Sequence, residues 1–260
     1  VNAGRADVVA DRDALVAYTL RLGDDALVLS HRLAEWATHA PTLEEDVALA
    51  NLALDLLGQA RELLGYAGRV EGAGRDEDEL AFGRDEREFR NCLLVERPIG
   101  DFAHTVVRQL LFASYQVELY QRLAESADET LAGVAAKAVK EVAYHRSHAT
   151  AWTLRLGDGT AESHRRMLAA LAELWPYSAE LFEADELTDA LAAAGIGVDP
   201  AALREPWAEQ VRGVLDRATL EPPADGWAPT GGRHGRHTEP FGHLLAEMQH
   251  LRRSHPGASW

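Results

Sequence analysis

The sequence has one cysteine, two methionines and no apolar run of about 18 residues, and each shortage removes a class of protein. Cys92 alone can close no disulfide within the chain and can build no thiolate metal cluster, so the expected setting is the reducing cytoplasm. Without a long apolar run no membrane span is expected, and the opening residues Val1 to Asp7 carry no apolar signal core. Basic residues are in the minority: Lys plus Arg number 26 against 42 Asp plus Glu, a formal net charge of −16. Nucleic acids and anionic membranes are bound through an excess of Lys and Arg, so neither is an expected partner. Alternating β-branched runs are missing too, as are a Gly-rich phosphate loop behind a strand and a Gly-x-Ser-x-Gly elbow.

What is present is helical periodicity in 260 residues that are 47% hydrophobic and 26% charged, an ordinary globular balance. Leu15, Tyr18, Leu22, Leu29, Leu33 and Trp36 mark one face of a helix from about Asp13 to Thr38. Pro41 interrupts, and Thr42 with Glu45 is a capping-box pattern that opens a second helix, expected to run to about Gly65. From Glu71 to Gly100 the pattern lapses into glycines and the charge run Arg75 to Glu79. That stretch reads as a long connection, its charges solvated, with short helical turns around Leu80 and Phe89.

Asp101 caps a third helix to about Ala124, whose seam of Val106, Leu110, Ala113, Val117 and Tyr120 is widened by Val107 and Leu111. A fourth helix opens at Asp128 and stops at Gly157, with Leu131, Val134, Ala138, Val142, His145, Ala149 and Trp152 on its seam. Shorter helices are expected at about Ala161 to Ala184, ended or kinked at Pro176, then Glu186 to Ala194, Pro200 to Thr219 and Phe241 to Arg253. Glu221 to His237 reads as a loop, and its basic part, Gly231 to His237, is either flexible or a contact for an anionic group.

The expected fold class is therefore all-α. Short loops make antiparallel neighbours of helices 1 and 2 and of helices 3 and 4, and a long crossover between helices 2 and 3 joins the two hairpins. That is a ferritin-like four-helix bundle over about residues 13–157, with additional C-terminal helices over about 161–254, in a single domain spanning 1–260.

Bundles of this kind hold two iron ions with one Glu from each of two helices and Glu-x-x-His from each of the other two. The matches to that spacing are Asp101-x-x-His104 and Glu247-x-x-His250, neither at mid-height of a long helix. Equal distances from the turns place Asp24 or Asp25 level with Asp55, and Glu141 level with Arg108 to Phe112. Gly58 stands where a histidine should follow Asp55, Tyr144 where one should follow Glu141, and His145 comes one residue late. The expectation is a bundle that has lost its metal site and keeps a polar cluster of Asp24, Asp25, Asp55, Arg108, Glu141 and His145, with Arg108 neutralising the acids. No catalytic residue, metal ligand or cofactor is then expected in this chain. Two readings stay open beside it. Asn51, Asp55, Gln59 and Glu62 recur at helical spacing and would equally suit a solvated face, with His145 a hydrogen-bonded core residue. An autonomous di-iron oxidase would use Asp24, Asp55, Glu141 and His145 as irregular ligands, and a plain helical interaction module would use none of them.

Long stretches carry a resemblance. They are Leu43 to Leu49, Ala53 to Arg61, Arg84 to Asn91, Gly100 to Thr105, Lys137 to Val142 with Tyr144 and His145, Leu154 to Gly159, and Gly242 to Gln249. In order and over nearly the whole chain they resemble the C-subunit family of bacterial ring 1,2-phenylacetyl-CoA epoxidases. The resemblance implies a ferritin-like fold and a non-catalytic, structural role beside a homologous subunit that carries the di-iron centre, in a hetero-oligomer. It further implies that the complex epoxidises the aromatic ring of phenylacetyl-CoA with O₂, with electrons from a separate flavin and iron–sulfur reductase component. Pairing with such a subunit would bury wide apolar helix faces, and the broad apolar faces of helices 3 and 4 fit that, with no interface residue assigned. Gly83 departs from the family pattern, which has a bulkier apolar residue there.

Overall fold

The computed structural model describes residues 2–224 and 226–258, and for residues 2–11 the backbone alone. α1 (Asn2–Ala34) and α2 (Leu43–Glu71) form an antiparallel hairpin. Thr42 accepts the Glu45 N–H at the start of α2, and Glu44, Glu45 and Asp46 complement the positive end of the helix dipole. α2 runs two turns past Gly65, to a left-handed C-cap at Gly72. Gly68 is retained inside it for a close approach: a Cβ there would lie 2.0 Å from the Arg75 carbonyl oxygen, where the chain doubles back.

The crossover is more ordered than a solvated connection. It contains α3 (Glu77–Phe82), a 3₁₀ turn at Glu86–Glu88 and α4 (Leu93–Glu96). The charge run is used locally: Asp76 caps α3 through the Glu79 N–H, Arg75 pairs with Glu71, and Glu77 pairs with Arg61. Leu80, Phe89, Cys92, Leu94 and Val95 are buried beneath it. α4 escapes a periodicity search because four residues are barely one turn. Gly83 closes α3, and a Cβ there would sit 2.7 Å from the Glu79 carbonyl oxygen, so a bulkier residue at this position requires the backbone to shift.

α5 (Phe102–Leu123) and α6 (Glu129–Gly157) form the second hairpin, capped by Asp101 and Asp128. α2 packs beside α6, so the hairpins make a four-helix bundle. The C-terminal helices are α7 (Ala161–Leu174), α8 (Glu186–Ala193), α9 (Arg204–Arg217) and α10 (Glu239–Ser254), with a 3₁₀ segment at Trp175–Phe182. Pro176, the second residue of that segment, has no N–H to continue α7. α7, α9 and the 3₁₀ segment cover the second side of α5, which is why α5 is buried nearly all round. α8 lies on α1, and α10 lies on α3 and the 86–88 turn. The fold is all-α and ferritin-like. Among the described residues there is no strand and no helix long and apolar enough to cross a membrane.

Candidate functional site

Three of the six expected residues meet where α2 faces α6. His145 Nε2 lies 3.1 Å from Asp55 Oδ2, and Gln59 Nε2 donates to Glu141 Oε2 at 3.0 Å. About one turn further along α6, His148 Nε2 lies 2.8 Å from Oε2 of Glu45, which comes from near the start of α2. Residues 141, 145 and 148 share a face of α6, and 45, 55 and 59 meet them from α2. A carboxylate can only accept, so His145 donates from Nε2, which leaves its buried Nδ1 as an acceptor with no partner among the described residues. Burial pushes the His145 pKa below its ordinary 6.5, and the Asp55 carboxylate only partly offsets this, so the ring is neutral at neutral pH. Of the row read at helical spacing, Asn51 and Glu62 are exposed, Asp55 is half-buried and Gln59 is buried, so it is solvated at its ends and joins a partly open polar seam in the middle.

Asp24 and Asp25 are elsewhere. Asp24 is fully buried and takes the Arg84 guanidinium in a bidentate pair, with Nη1 to Oδ2 at 3.0 Å, and the Arg90 N–H at 2.8 Å. Asp25 takes Arg233 through two bonds of 2.9 and 2.8 Å and the Cys92 N–H at 2.7 Å. Burial pushes the Asp25 carboxyl up, against the pull of Arg233 and the Cys92 N–H. These two acids clamp the crossover and the 226–237 loop onto α1. Heights counted on the four long helices alone place them beside Asp55, because the crossover that lies over α1 does not enter that count.

Arg108 does not neutralise Asp55 or Glu141. Its Nη1 donates to the carbonyls of Arg97 and Pro98, and its Nε and Nη2 are buried without a partner among the described residues. Burial first, then the nearby cations Arg32 and Arg97 against Glu35, push its pKa down to about 9. The reason is register: counted from the turn at Ser126, Arg108 lies about one helical turn beyond the height of Glu141, where the crossover leaves the bundle. His145 and Gln59 serve the two acids instead.

Two further anchors escape a reading of the sequence. Glu180 is buried, and its Oε1 accepts the N–H groups of Gly231 and Gly232 at 2.8 and 2.7 Å, its Oε2 that of Leu93 at 2.7 Å. Glu96 is likewise buried and accepts from Asn91 Nδ2 at 2.9 Å, His237 Nδ1 at 2.7 Å and the Thr238 N–H at 2.6 Å. The basic stretch Gly231 to His237 was the available signal, and the anionic groups it meets are Asp25, Glu96 and Glu180 of the same chain. Cys92 is buried, and burial raises its thiol pKa well above the ordinary value, which removes it as a nucleophile. His104 Nδ1 bonds Asp101 at 2.7 Å at the mouth of α5, with Glu173 3.3 Å from the other ring nitrogen.

The donor set does not fit a pair of iron ions. Among the described residues, no three His, Cys, Asp or Glu side chains converge to hold a metal. Asp24 and Asp25 are committed to arginines, and at the matching height α5 offers Leu110, Leu111 and Phe112.

The sequence model of the family described as phenylacetic acid catabolic protein matches residues 2–260. A curated relative, the C subunit of the 1,2-phenylacetyl-CoA epoxidase of Escherichia coli (strain K12), is 53% identical over 246 residues, which cover 95% of this chain and 99% of that protein.

Proposed function

Because the chain belongs to the phenylacetic acid catabolic protein family, we propose that it is the C-type subunit of a 1,2-phenylacetyl-CoA epoxidase. It supports a homologous di-iron subunit in the O₂-dependent epoxidation of the phenylacetyl-CoA ring and carries no iron of its own. The full complex adds a reductase component, and the buried, unpaired thiol of Cys92 suits a cytoplasmic assembly.

The observation that carries this reading is the use of the acids on the bundle helices. Two iron ions need carboxylates and histidines aimed at one point. Here Asp24 and Asp25 are neutralised by Arg84 and Arg233, and Asp55, Glu141 and His145 hydrogen-bond in pairs across the α2–α6 seam. The same observation argues against an autonomous oxidase on Asp24, Asp55, Glu141 and His145, since Asp24 sits in a separate ion pair. The chain's own contribution is rigidity. Its charged anchors tie the crossover, the 226–237 loop and α1 into one body against which a partner's helices can be held.

Plasma mass spectrometry of the purified chain after growth in ample iron tests this. Well below about one iron per chain is expected, with iron present once the partner subunit is co-purified. Close to about two irons per isolated chain would make this chain an oxygenase candidate itself and end the structural reading.

A further inference from the structure

α1, α5, α8, the end of the 3₁₀ segment and the 226–237 loop surround a cavity of about 380 Å³, with the exposed residues Glu183 and His234 at its mouth. Its apolar walls are Leu22, Leu119, Leu181, Val198 and the rings of Tyr18 and Tyr115. Both tyrosines are buried. Burial pushes the Tyr18 phenol up to about 12, against the pull of the Val198 N–H, Arg233 and Arg21, and it raises the Tyr115 phenol too, so both keep their protons. The Tyr18 hydroxyl accepts the Val198 N–H at 3.2 Å, and its own proton has no acceptor among the described residues. The Tyr115 hydroxyl has no hydrogen-bond partner among them at all, and neither has the buried Nε of Arg21. The nearby buried acceptors are already spent. Asp185 takes Arg21 and the Thr188 N–H, and Glu180 takes the N–H groups of Leu93, Gly231 and Gly232. Arg233 commits its terminal nitrogens to Asp25 and to the carbonyls of Arg21 and Arg90. Buried donors are normally satisfied, so this cavity is short of an acceptor that the chain itself does not supply.

We propose that this cavity binds a small uncharged ring compound through a carbonyl oxygen, which accepts from the hydroxyls of Tyr18 and Tyr115. The site is separate from the α2–α6 seam and does not depend on the function proposed above. Size sets the first limit. The volume lies near the low end of the ~300–1,000 Å³ that ligand sites enclose, which suits one ring with a short substituent. Charge sets the second. Arg21 and Arg233 are each matched by an acid, Asp185 and Asp25, and Glu183 at the mouth has no ion pair among the described residues. A carboxylate entering there meets Glu183 with no free cation to offset it. An ammonium is drawn to Glu183 but finds donors inside, and its desolvation goes uncompensated. The donors themselves set the third limit. A bare hydrocarbon ring leaves the two hydroxyls unmet, whereas a carbonyl oxygen has two lone pairs, one for each. Water satisfies the hydroxyls but leaves Leu22, Leu119, Leu181 and Val198 wetted, surface that a ring covers.

The test titrates the full chain with benzamide and acetophenone, followed by ligand-observed NMR and by thermal shift. Benzoate, benzylamine and toluene run beside them, sharing the ring and differing at the substituent. The two carbonyl probes should bind with dissociation constants of about 1 mM or tighter, in reach of about nine non-hydrogen atoms. The other three should bind at least about 10-fold more weakly. Tyr115→Phe keeps the ring and removes a hydroxyl that has no partner in the chain, so the fold should be unaffected while carbonyl binding weakens about 3- to 10-fold. Ala184→Phe places a ring at the exposed mouth and should weaken binding by more than about 10-fold. Helical circular dichroism checks both variants, and each tests the site without the other. If neither carbonyl probe binds, solvent alone fills the cavity and the proposal is overturned. Benzoate, benzylamine or toluene binding as tightly as benzamide would overturn the assigned chemistry. Carbonyl binding unchanged in either folded variant would place the ligand elsewhere and remove the site.

Discussion

Arg84 and Arg108 are both buried arginines, and the same replacement at each should have opposite consequences. In Arg84→Met the Asp24 carboxylate keeps the Arg90 N–H but loses the counter-charge in contact with it, inside a site with no exposure on the acid's side chain. Leaving one member of a buried pair unpaired costs about 3–5 kcal/mol. For a domain of this size each kcal/mol is worth about 2–4 °C, so the melting temperature should fall by about 6–20 °C. Among the described residues Arg108 has no acid in contact, only carbonyls at one nitrogen, and two buried nitrogens with no partner. Arg108→Met leaves those carbonyls short of a donor, at about 1–3 kcal/mol, and removes a desolvated cation whose burial costs several kcal/mol. The net should lie between no change and a gain of about 2 kcal/mol. Urea unfolding of the isolated chain at neutral pH, followed by helical circular dichroism, measures both. A loss of about 3 kcal/mol or more at Arg108 would mean it does face a carboxylate. A change within about 0.5 kcal/mol at Arg84 would mean that Asp24 is solvated and the clamp on α1 is not real.

Other consequences follow from the same geometry. Glu180→Ala should orphan the N–H groups of Leu93, Gly231 and Gly232 together and cost about 3–5 kcal/mol; hydrogen exchange at Gly231 and Gly232 should speed up first, and unchanged exchange would refute the anchor. His145 is held below its ordinary pKa of 6.5, so the unfolded chain binds its proton more readily; stability should fall as the pH drops below about 6.5, and His145→Gln should flatten that slope in urea titrations. Gly133→Ala and Gly58→Ala add a methyl in open space inside helices and should each stabilise the isolated chain by about 0.5–1 kcal/mol. Gly68→Ala would drive a Cβ to 2.0 Å from the Arg75 carbonyl and should destabilise by more than about 2 kcal/mol, a contrast readable in the same thermal scans.

The long helices were legible because their signals are local. The seam of α6 from Leu131 to Trp152, the Thr42 cap and the Asp101 and Asp128 caps each lie within a few residues of what they specify. α4 was not legible, being too short to show a period. Within the candidate site, Asp55, Glu141 and His145 were found by counting to mid-height from the turn of each hairpin; that α2 meets α6 there was not part of that count. That Gly58 and Tyr144 stand where a di-iron set places histidines was also legible in sequence.

Which charge meets which was decided by the tertiary structure. Asp24 and Arg84 are 60 positions apart, and Asp25 and Arg233 are 208 apart, so no periodicity links them. Their pairing follows from the path of the crossover over α1 and from Glu180 and Glu96 holding the 226–237 loop in reach. The same holds for surfaces. α5 and α2 both carry more apolar residues than one hairpin contact needs, but the C-terminal helices cover α5 and leave α2 open. Sequence fixes which helix faces are apolar through side-chain spacing within one turn; which of those faces stays exposed depends on where distant helices come to rest, because burial is a property of neighbours in space.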